Sequence, residues 1–177
     1  WAYPDMLEVG NFNEANSTLG FIESRSHFGA WCVVSAPLIL GVDVTNKELI
    51  DGIWPIISNT EAIVVNQAWA GHPGRLVLEG GPASPSPSGP TAWQVWAKKM
   101  PGGAQAVFVV NRSPTPVNII LDISTFGPTS SAVATRDLWS HTDLGPMKTT
   151  WQIDSLGGHD SRFVLFSFAT NKQTDVY

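Results

Sequence analysis

Hydrophobic and polar positions follow two different periods along this chain, and the change falls near residue 73. From Trp1 to about His72, short apolar runs alternate with stretches of helical period. Trp1 to Val9 reads as an extended run containing a proline, and a polar, Asn-rich loop from Gly10 to Thr18 follows it. Gly20 with Glu23 three positions later reads as a helix start in which glycine supplies the N-cap. Phe21, Phe28, Trp31 and Ser35 then fall on one helical face, with Ile22, Gly29 and Val33 beside them. Pro37 is expected to end this helix, because its ring blocks continuation and restrains the residue before it. Leu38 to Val42 is a continuous apolar run, the pattern of a strand buried on both faces in a parallel sheet. Thr45 to Glu48 and Ser58 to Glu61 both read as capping boxes, each opening a short helix, with Pro55 separating the two. Strand, helix, strand, helix at this spacing predicts βα units of a parallel sheet or barrel.

From Gly74 onward the period changes to two. Runs rich in Val, Ile, Phe, Trp and Thr recur between Gly, Pro and Ser punctuation, at Arg75–Leu78, Ala92–Lys98, Ala104–Asn111, Pro116–Ile123, Ala132–Trp139, Lys148–Ile153 and Arg162–Phe168. This predicts about seven strands of an antiparallel sandwich. Val107, Val109 and Asn111 alternate with Phe108 and Val110, which marks that strand as central. Gly80 to Pro90 reads as an exposed loop or linker. The fold class expected is therefore α/β followed by all-β, with residues 1–72 as one part and 73–177 as the other.

Composition narrows the functional classes. With 43% hydrophobic and only 14% charged residues, neither a disordered tail nor a solvated coiled coil fits. Ten basic residues against fifteen acidic ones give a net charge of −5, with no basic cluster to bind phosphates, so no nucleic-acid partner is expected. No run approaches the roughly 18 apolar residues that a membrane-spanning helix needs. A lone cysteine, Cys32, excludes an internal disulfide. The chain begins at Trp1 rather than Met, and is expected to be part of a longer polypeptide.

Candidate chemistry is sparse. Asp5 and Asp43 each follow an apolar or extended run, so on barrel strands they would lie near the carboxyl ends, where such folds build active sites. Asp43 also reads as a turn residue opening the next helix, and Asp5 as part of a bend after Pro4. His27 lies mid-helix among apolar residues and reads as a structural histidine, while His72, His141 and His159 show no metal-ligand spacing. Neither a metal site nor a cofactor is expected. Cys32 reads as a small core hydrophobe. G-x-S-x-G and phosphate-loop motifs are absent, and Gly102-Gly103 and Gly157-Gly158 read as hairpin turns. Eight tryptophans invite a sugar-stacking role, but strand or helix positions make core packing their default. Trp93 and Trp96 have opposed parity, which sends one of them outward, and Trp69 reads as a seal between the two parts. Asn16-Ser17-Thr18 and Asn111-Arg112-Ser113 match the N-glycosylation acceptor pattern, the second weakened by Pro114.

Several of these segments together resemble the α-galactosidase (melibiase) family, glycoside hydrolase family 27. Trp1 to Asn11 (WAYPDMLEVGN) resembles its tryptophan-PDML-GN stretch. His27 to Trp31 resembles its HF-x-x-W helix, and Ala36 to Asp43 its APL-x-x-G-x-D strand. Asn66-Gln67 resembles the NQ ending its last barrel helix, and Arg136 to Trp139 the RDLW of its C-terminal β-domain. Five motifs in order are specific, and the likeness is strongest over residues 1–72.

The resemblance implies the last two βα units of a (β/α)8 TIM barrel followed by a C-terminal antiparallel β-sandwich. It implies a retaining glycosidase, with nucleophile and acid/base carboxylates about 5–5.5 Å apart, both on earlier strands with no counterpart in this chain. The chain alone is therefore expected to be inactive and to need the upstream remainder of the same protein. Two of eight units leave strand edges and helix faces uncovered, which points the same way. Asp5 and Met6 match positions lining the sugar pocket, with Trp1 a weaker match, and Asp5 would accept a bond from a sugar hydroxyl. The expected substrate is a galactoside or related carbohydrate, met outside the cytosol in an extracellular, lysosomal, vacuolar or other lumenal space. A homo-oligomer is left open. Ala2-Tyr3 departs from the family's Asn-Asp at this point, which bears on specificity. A non-catalytic carbohydrate-binding or structural subunit is the alternative, and a stand-alone sandwich lectin a third reading that residues 1–72 argue against.

Overall fold

Helices fill the first part of the chain and antiparallel strands the second. The computed structural model describes residues 4–13, 17–82, 91–127, 131–132 and 134–169. A short pair, β1 (Phe12–Asn13) and β2 (Ser17–Thr18), precedes three helices: α1 (Phe21–Val33), α2 (Lys47–Ile57) and α3 (Thr60–Gln67). Then come β3 (Arg75–Pro82), β4 (Thr91–Lys99), β5 (Gln105–Asn111), β6 (Val117–Asp122), β7 (Ser131–Ala132) and β8 (Ala134–Asp137). The last four are β9 (Thr142–Asp143), β10 (Met147–Lys148), β11 (Thr150–Leu156) and β12 (Ser161–Ser167).

Five of the seven expected strands form whole, while Ala132–Trp139 divides into β7 and β8 and Lys148–Ile153 into β10 and β11, each piece in a different sheet. Six strands make one antiparallel sheet in the order β3-β4-β5-β12-β8-β9, while β6 pairs with β11 and β7 with β10. Alternation decides which side chain goes where. Val107 and Val109 of β5, with Val164 and Phe166 of β12, meet Ile119, Leu121, Trp151 and Ile153 from the β6–β11 pair in one core. The opposite parity, Ala106, Phe108 and Phe163, packs against Phe28, Cys32 and Val33 of α1 with Leu7, Val9, Ile56 and Val65 in a second core. β5 is therefore central and buried on both faces, as its uninterrupted apolar run anticipates. The second core draws residues from both sides of position 73, so helices and sandwich share it.

Trp93 and Trp96 do face opposite ways, yet both pack, Trp93 against the inter-sheet core and Trp96 against the helical one. Gly29 allows the close approach of α1, since a Cβ there would lie 2.4 Å from a ring carbon of Phe108.

Local expectations in the first part need correction. α1 stops at Val33, before Pro37 can act, because Ser35 takes a left-handed φ of 56°. In that conformation its hydroxyl donates to the Asn66 carbonyl at 3.0 Å. The N-caps are Asn46 and Asn59, not Thr45 and Ser58: their side-chain oxygens accept from Leu49 N (3.1 Å) and Ala62 N (2.9 Å). The Thr45 hydroxyl goes to Asp43, and that of Ser58 closes α2 on the Trp54 carbonyl. Pro55 lies inside α2 rather than between helices. The helical bond its ring removes would have ended on the carbonyl of Asp51, an exposed residue, so little is lost there. Leu38 to Val42 is not a strand but carries one parallel bridge, Leu7 to Leu40. A parallel strand buried on both faces needs neighbours on both edges, and this run has one. Of the loop expected from Gly80 to Pro90, Gly80 to Pro82 belong to β3, and residues 83–90 lie outside the described residues.

Polar groups pin the helical layer to the sheet. Arg136 of β8 grips both carboxylate oxygens of Glu61 at the start of α3, at 2.7 and 3.1 Å, and His141 Nδ1 adds a contact at 3.0 Å. The Asn59 amide donates to the Leu138 carbonyl at 2.8 Å, and Arg25 pairs with Asp160 at 2.7 Å. The hydrogen bonds from Arg136, foremost, hold the Glu61 carboxyl below its ordinary range. A depressed folded-state value makes the Glu61 contribution complete above the ordinary range and lost as pH falls through the lowered one. Melting temperature measured from pH 6 to pH 3 is expected to fall more steeply in the parent chain than in Glu61→Gln; parallel curves would show that the pair is energetically idle.

Candidate functional site

Two backbone segments, Pro4 to Val9 and Leu38 to Val42, lie side by side. Leu7 N donates to the Ile39 carbonyl at 2.8 Å and Gly41 N to the Leu7 carbonyl at 3.1 Å. Leu7 and Val9 point into the helical core at 1% and 0% exposure, whereas Met6 and Ile39 are each 50% exposed. The pair therefore has a covered face and an open one.

α1 holds the first segment through two side chains one turn apart. The Trp31 indole N–H donates to the Asp5 carbonyl at 3.1 Å, and the Glu8 N–H donates to His27 Nε2 at 3.1 Å. The His27 and Trp31 rings stack with centroids 3.8 Å apart. An imidazole accepting at Nε2 must be neutral, and burial pushes the His27 pKa down against the opposing pull of Glu8. His27 is thus structural, as its apolar setting predicts.

Asn66 anchors the turn that leads from α1 into the second segment, its amide donating to the Ala36 carbonyl at 2.8 Å and the Trp31 carbonyl at 3.3 Å. Lys98 of β4 completes this knot. It is 0% exposed, and its ammonium donates to the Val65 carbonyl, the Ser35 hydroxyl and the Asn66 carbonyl, the last at 3.2 Å. Two of these acceptors are carbonyls at the C-terminus of α3, the end of a helix that favours a cation. Burial pushes the Lys98 pKa down to about 8. Sequence pattern alone passes over Lys98, since a lysine in a strand is expected to face water.

Of the anticipated site residues, Asp5 and Met6 lie next to one another on exposed backbone, and Asp5 Oδ1 accepts from Met6 N at 2.8 Å. Trp1, Ala2, Tyr3 and Asn16 lie outside the described residues. Asp43 behaves as a turn residue: its Oδ1 accepts from Thr45 N at 2.9 Å and from the Thr45 hydroxyl at 2.6 Å. Those bonds, the hydroxyl's first, hold its carboxyl below the usual range. Asp43 opens onto a cleft of about 600 Å³ whose walls include Gly41, Phe21 and Glu48 but neither Asp5 nor Met6. Cys32 is fully buried, and burial pushes its thiol pKa up, which makes it inert.

The expectation of a glycan on Asn111 meets an obstacle. Asn111 is 0% exposed, its amide nitrogen donates to the carbonyls of Thr115, Leu156 and Gly157 at 2.8, 3.0 and 2.8 Å, and its oxygen accepts from Ser113 N. That nitrogen ties the turn after β5 to the turn at Leu156-Gly157 and has no room for a sugar in the folded chain. Among the described residues no helix is long and apolar enough to cross a membrane.

Comparison with known proteins follows the same lines. A family model described as the alpha galactosidase C-terminal beta sandwich domain matches residues 90–166. Alpha-galactosidase 3 of Arabidopsis thaliana is 31% identical over 179 residues, covering 99% of this chain and 37% of that protein. The crystal structure of α-galactosidase I from Mortierella vinacea superposes with a TM-score of 0.75 at 27% identity, covering 94% of this chain and 39% of that one. A family 27 β-L-arabinopyranosidase from Geobacillus stearothermophilus superposes with a TM-score of 0.77 at 25% identity, covering 97% and 38%. The chain therefore spans well under half the length of the relatives it matches. Over that span it resembles the C-terminal part of the α-galactosidases of glycoside hydrolase family 27.

Proposed function

We propose that this chain is the C-terminal portion of a retaining glycoside hydrolase that removes terminal α-linked galactose-type sugars. The observation that carries the reading is an in-order match covering 99% of the chain to a curated α-galactosidase. Residues 1–72 are then the last two βα units of a (β/α)8 barrel and residues 73–177 its sandwich domain. The open face of the parallel pair supports this, because half-exposed Met6 and Ile39 are apolar side chains of the kind a barrel interior buries. Asp5 and Met6 form one wall of the sugar pocket, with Asp5 accepting a bond from a sugar hydroxyl. Nucleophile and acid/base carboxylates come from polypeptide that precedes these residues in the complete enzyme, and work by double displacement through a glycosyl-enzyme intermediate. The enzyme acts in a lumenal or extracellular space.

Hydrolysis of p-nitrophenyl α-D-galactopyranoside tests the assignment. The chain alone is expected to show no turnover, and the chain joined to the barrel portion of the Arabidopsis relative to show it. In the joined protein Asp5→Ala is expected to lower kcat/KM by about 10²-fold or more, the scale for losing one charged contact to the reacting sugar. Turnover by the chain alone would overturn the upstream carboxylates; a cooperatively melting but inactive joined protein would overturn the reading as a whole.

A further inference from the structure

The segment that carries Asp5 and Met6 is held from two directions. Leu7 commits its N–H and its carbonyl to Ile39 and Gly41. On either side of Leu7 the hold comes from α1: Trp31 Nε1 donates to the Asp5 carbonyl and His27 Nε2 accepts from Glu8 N, each at 3.1 Å. Asp5, Met6 and Glu8 are exposed, so these bonds rather than packing keep them in place. The Asp5 carboxylate belongs to the same stretch, since its Oδ1 accepts from Met6 N at 2.8 Å. A shift of this backbone therefore carries the carboxylate and the Met6 side chain with it.

The two α1 side chains do not act separately. Their rings stack at 3.8 Å between centroids, 29° from parallel, so a move of one is felt by the other. They differ in how they answer to pH. The indole N–H donates at any pH, whereas Nε2 accepts only in the neutral imidazole, whose single proton is then on Nδ1. A second proton can go only to Nε2. There it turns the acceptor into a donor facing the Glu8 N–H, and a bond becomes a repulsion. Burial disfavours that proton, and the Glu8 carboxylate favours it. Glu23 of α1, Arg112 after β5 and His159 before β12 border a groove of about 350 Å³ together with His27. Arg112, and His159 when protonated, oppose a positive charge on the imidazole; Glu23 favours one, but it already accepts from Gly20 N at 2.9 Å. Burial outweighs the acids, so the second proton arrives below the ordinary 6.5.

We propose that His27 and Trp31 are positioning residues for the sugar pocket, and that proton uptake at His27 Nε2 frees the Glu8 end of the segment and displaces the wall made by Asp5 and Met6. The glycosidase reading supplies what the wall binds; the movement stands without it. Substrate affinity then falls with pH through a group that never touches the sugar.

Two measurements test this. In the 15N,13C-labelled 177-residue chain, the amides of Met6 and Glu8 are expected to titrate with the midpoint of the His27 imidazole, below pH 6.5. In His27→Gln, whose amide oxygen can accept from Glu8 N and takes up no proton, that step is expected to vanish. Amides that ignore the His27 midpoint, or that titrate equally in His27→Gln, would overturn the proposal. In the protein joined to the Arabidopsis barrel, KM for p-nitrophenyl α-D-galactopyranoside is read across the same pH range. One unit below the midpoint it is expected to have climbed about 5-fold more in the parent than in His27→Gln, the scale of one hydrogen bond. Trp31→Phe keeps a ring over His27 and loses the N–H, so its KM is expected to stand above the parent's on the alkaline side of the midpoint as well. Equal KM profiles in parent and His27→Gln, or an effect on kcat alone, would show that α1 braces the fold and not the pocket. A joined parent without turnover would overturn the glycosidase reading instead, and the amide shifts would then decide the movement by themselves.

Discussion

Phe108→Ala is expected to cost about 3–5 kcal/mol of stability, the range for truncating a fully buried aromatic ring. The ring is 0% exposed and lies on the helical face of β5, edge-on to Phe163 at 5.4 Å between centroids. Its other side meets α1 at Gly29, where no side chain exists to fill a gap. Removing it opens a cavity between layers that rigid neighbours on both sides cannot collapse. Urea unfolding followed in parallel by far-ultraviolet circular dichroism and tryptophan fluorescence provides the measurement. A loss below about 1 kcal/mol would mean that α1 does not rest on this face of the sheet, and the shared second core would have to be abandoned.

Lys98→Ala is the second large effect. It takes away the ammonium from which the buried Val65 carbonyl, at the end of α3, accepts its bond. A buried carbonyl that loses its donor costs about 1–3 kcal/mol, and loss of the buried aliphatic stem adds to it. The pH dependence separates the amine from its stem. Lys98 has a folded-state pKa of about 8 against the ordinary 10.5, so between these values the unfolded chain binds more protons. Stability conferred on the parent chain therefore rises with pH across that window, the opposite of what a paired lysine would do. Lys98→Met keeps most of the stem and removes the titration. The difference in unfolding free energy, parent minus Lys98→Met, is expected to grow in the parent's favour from pH 8 to pH 10.5. A difference that stays flat would show that the ammonium loses nothing by burial. Cys32, the titratable neighbour facing Lys98, stays neutral over this range because burial has raised its pKa, and the hydrogen-bond partners of Lys98 are all neutral.

Lys98 also marks what could be read from the sequence. The longer strands were legible because alternation of Val, Phe and Ile is set by which face each residue must bury, and apolar burial is the largest force driving the chain to fold, whereas the breaks that divide Ala132–Trp139 and Lys148–Ile153 between sheets were not. Central placement of β5 was legible for the same reason. Competing polar bonds were not. Whether Thr45 or Asn46 caps α2 depends on Asp43 being near enough to take the threonine hydroxyl. Asn111 matched a glycosylation pattern, and its bonding appears only when the turn at Leu156-Gly157 meets the turn that follows Asn111 at one amide. Leu38 to Val42 had the composition of a buried strand, but pairing requires neighbours, and composition cannot supply them. Asp5 and Met6 are candidates through a family motif alone, whereas the cleft beside them was invisible, since Phe21, Gly41 and Glu48 lie on separate stretches of the chain.

The double-faced burial of β5 has a consequence in time as well as in space. β4 is made just before β5 and can cover one edge at once, across the short turn at Pro101 to Gly103. The other edge pairs with β12, which begins at Ser161. At the usual pace of synthesis, the intervening fifty or so residues take roughly 3–10 s to appear. Throughout that interval Ala106 to Val110, five apolar residues in strand conformation, offer an open edge to any other nascent chain. The run is bracketed by Lys98 and Lys99 before it and by Arg112 and Pro114 after it, residues that discourage edge-to-edge association. Yield at high expression temperature should therefore be governed by how long β5 waits for its partner, however stable the finished fold.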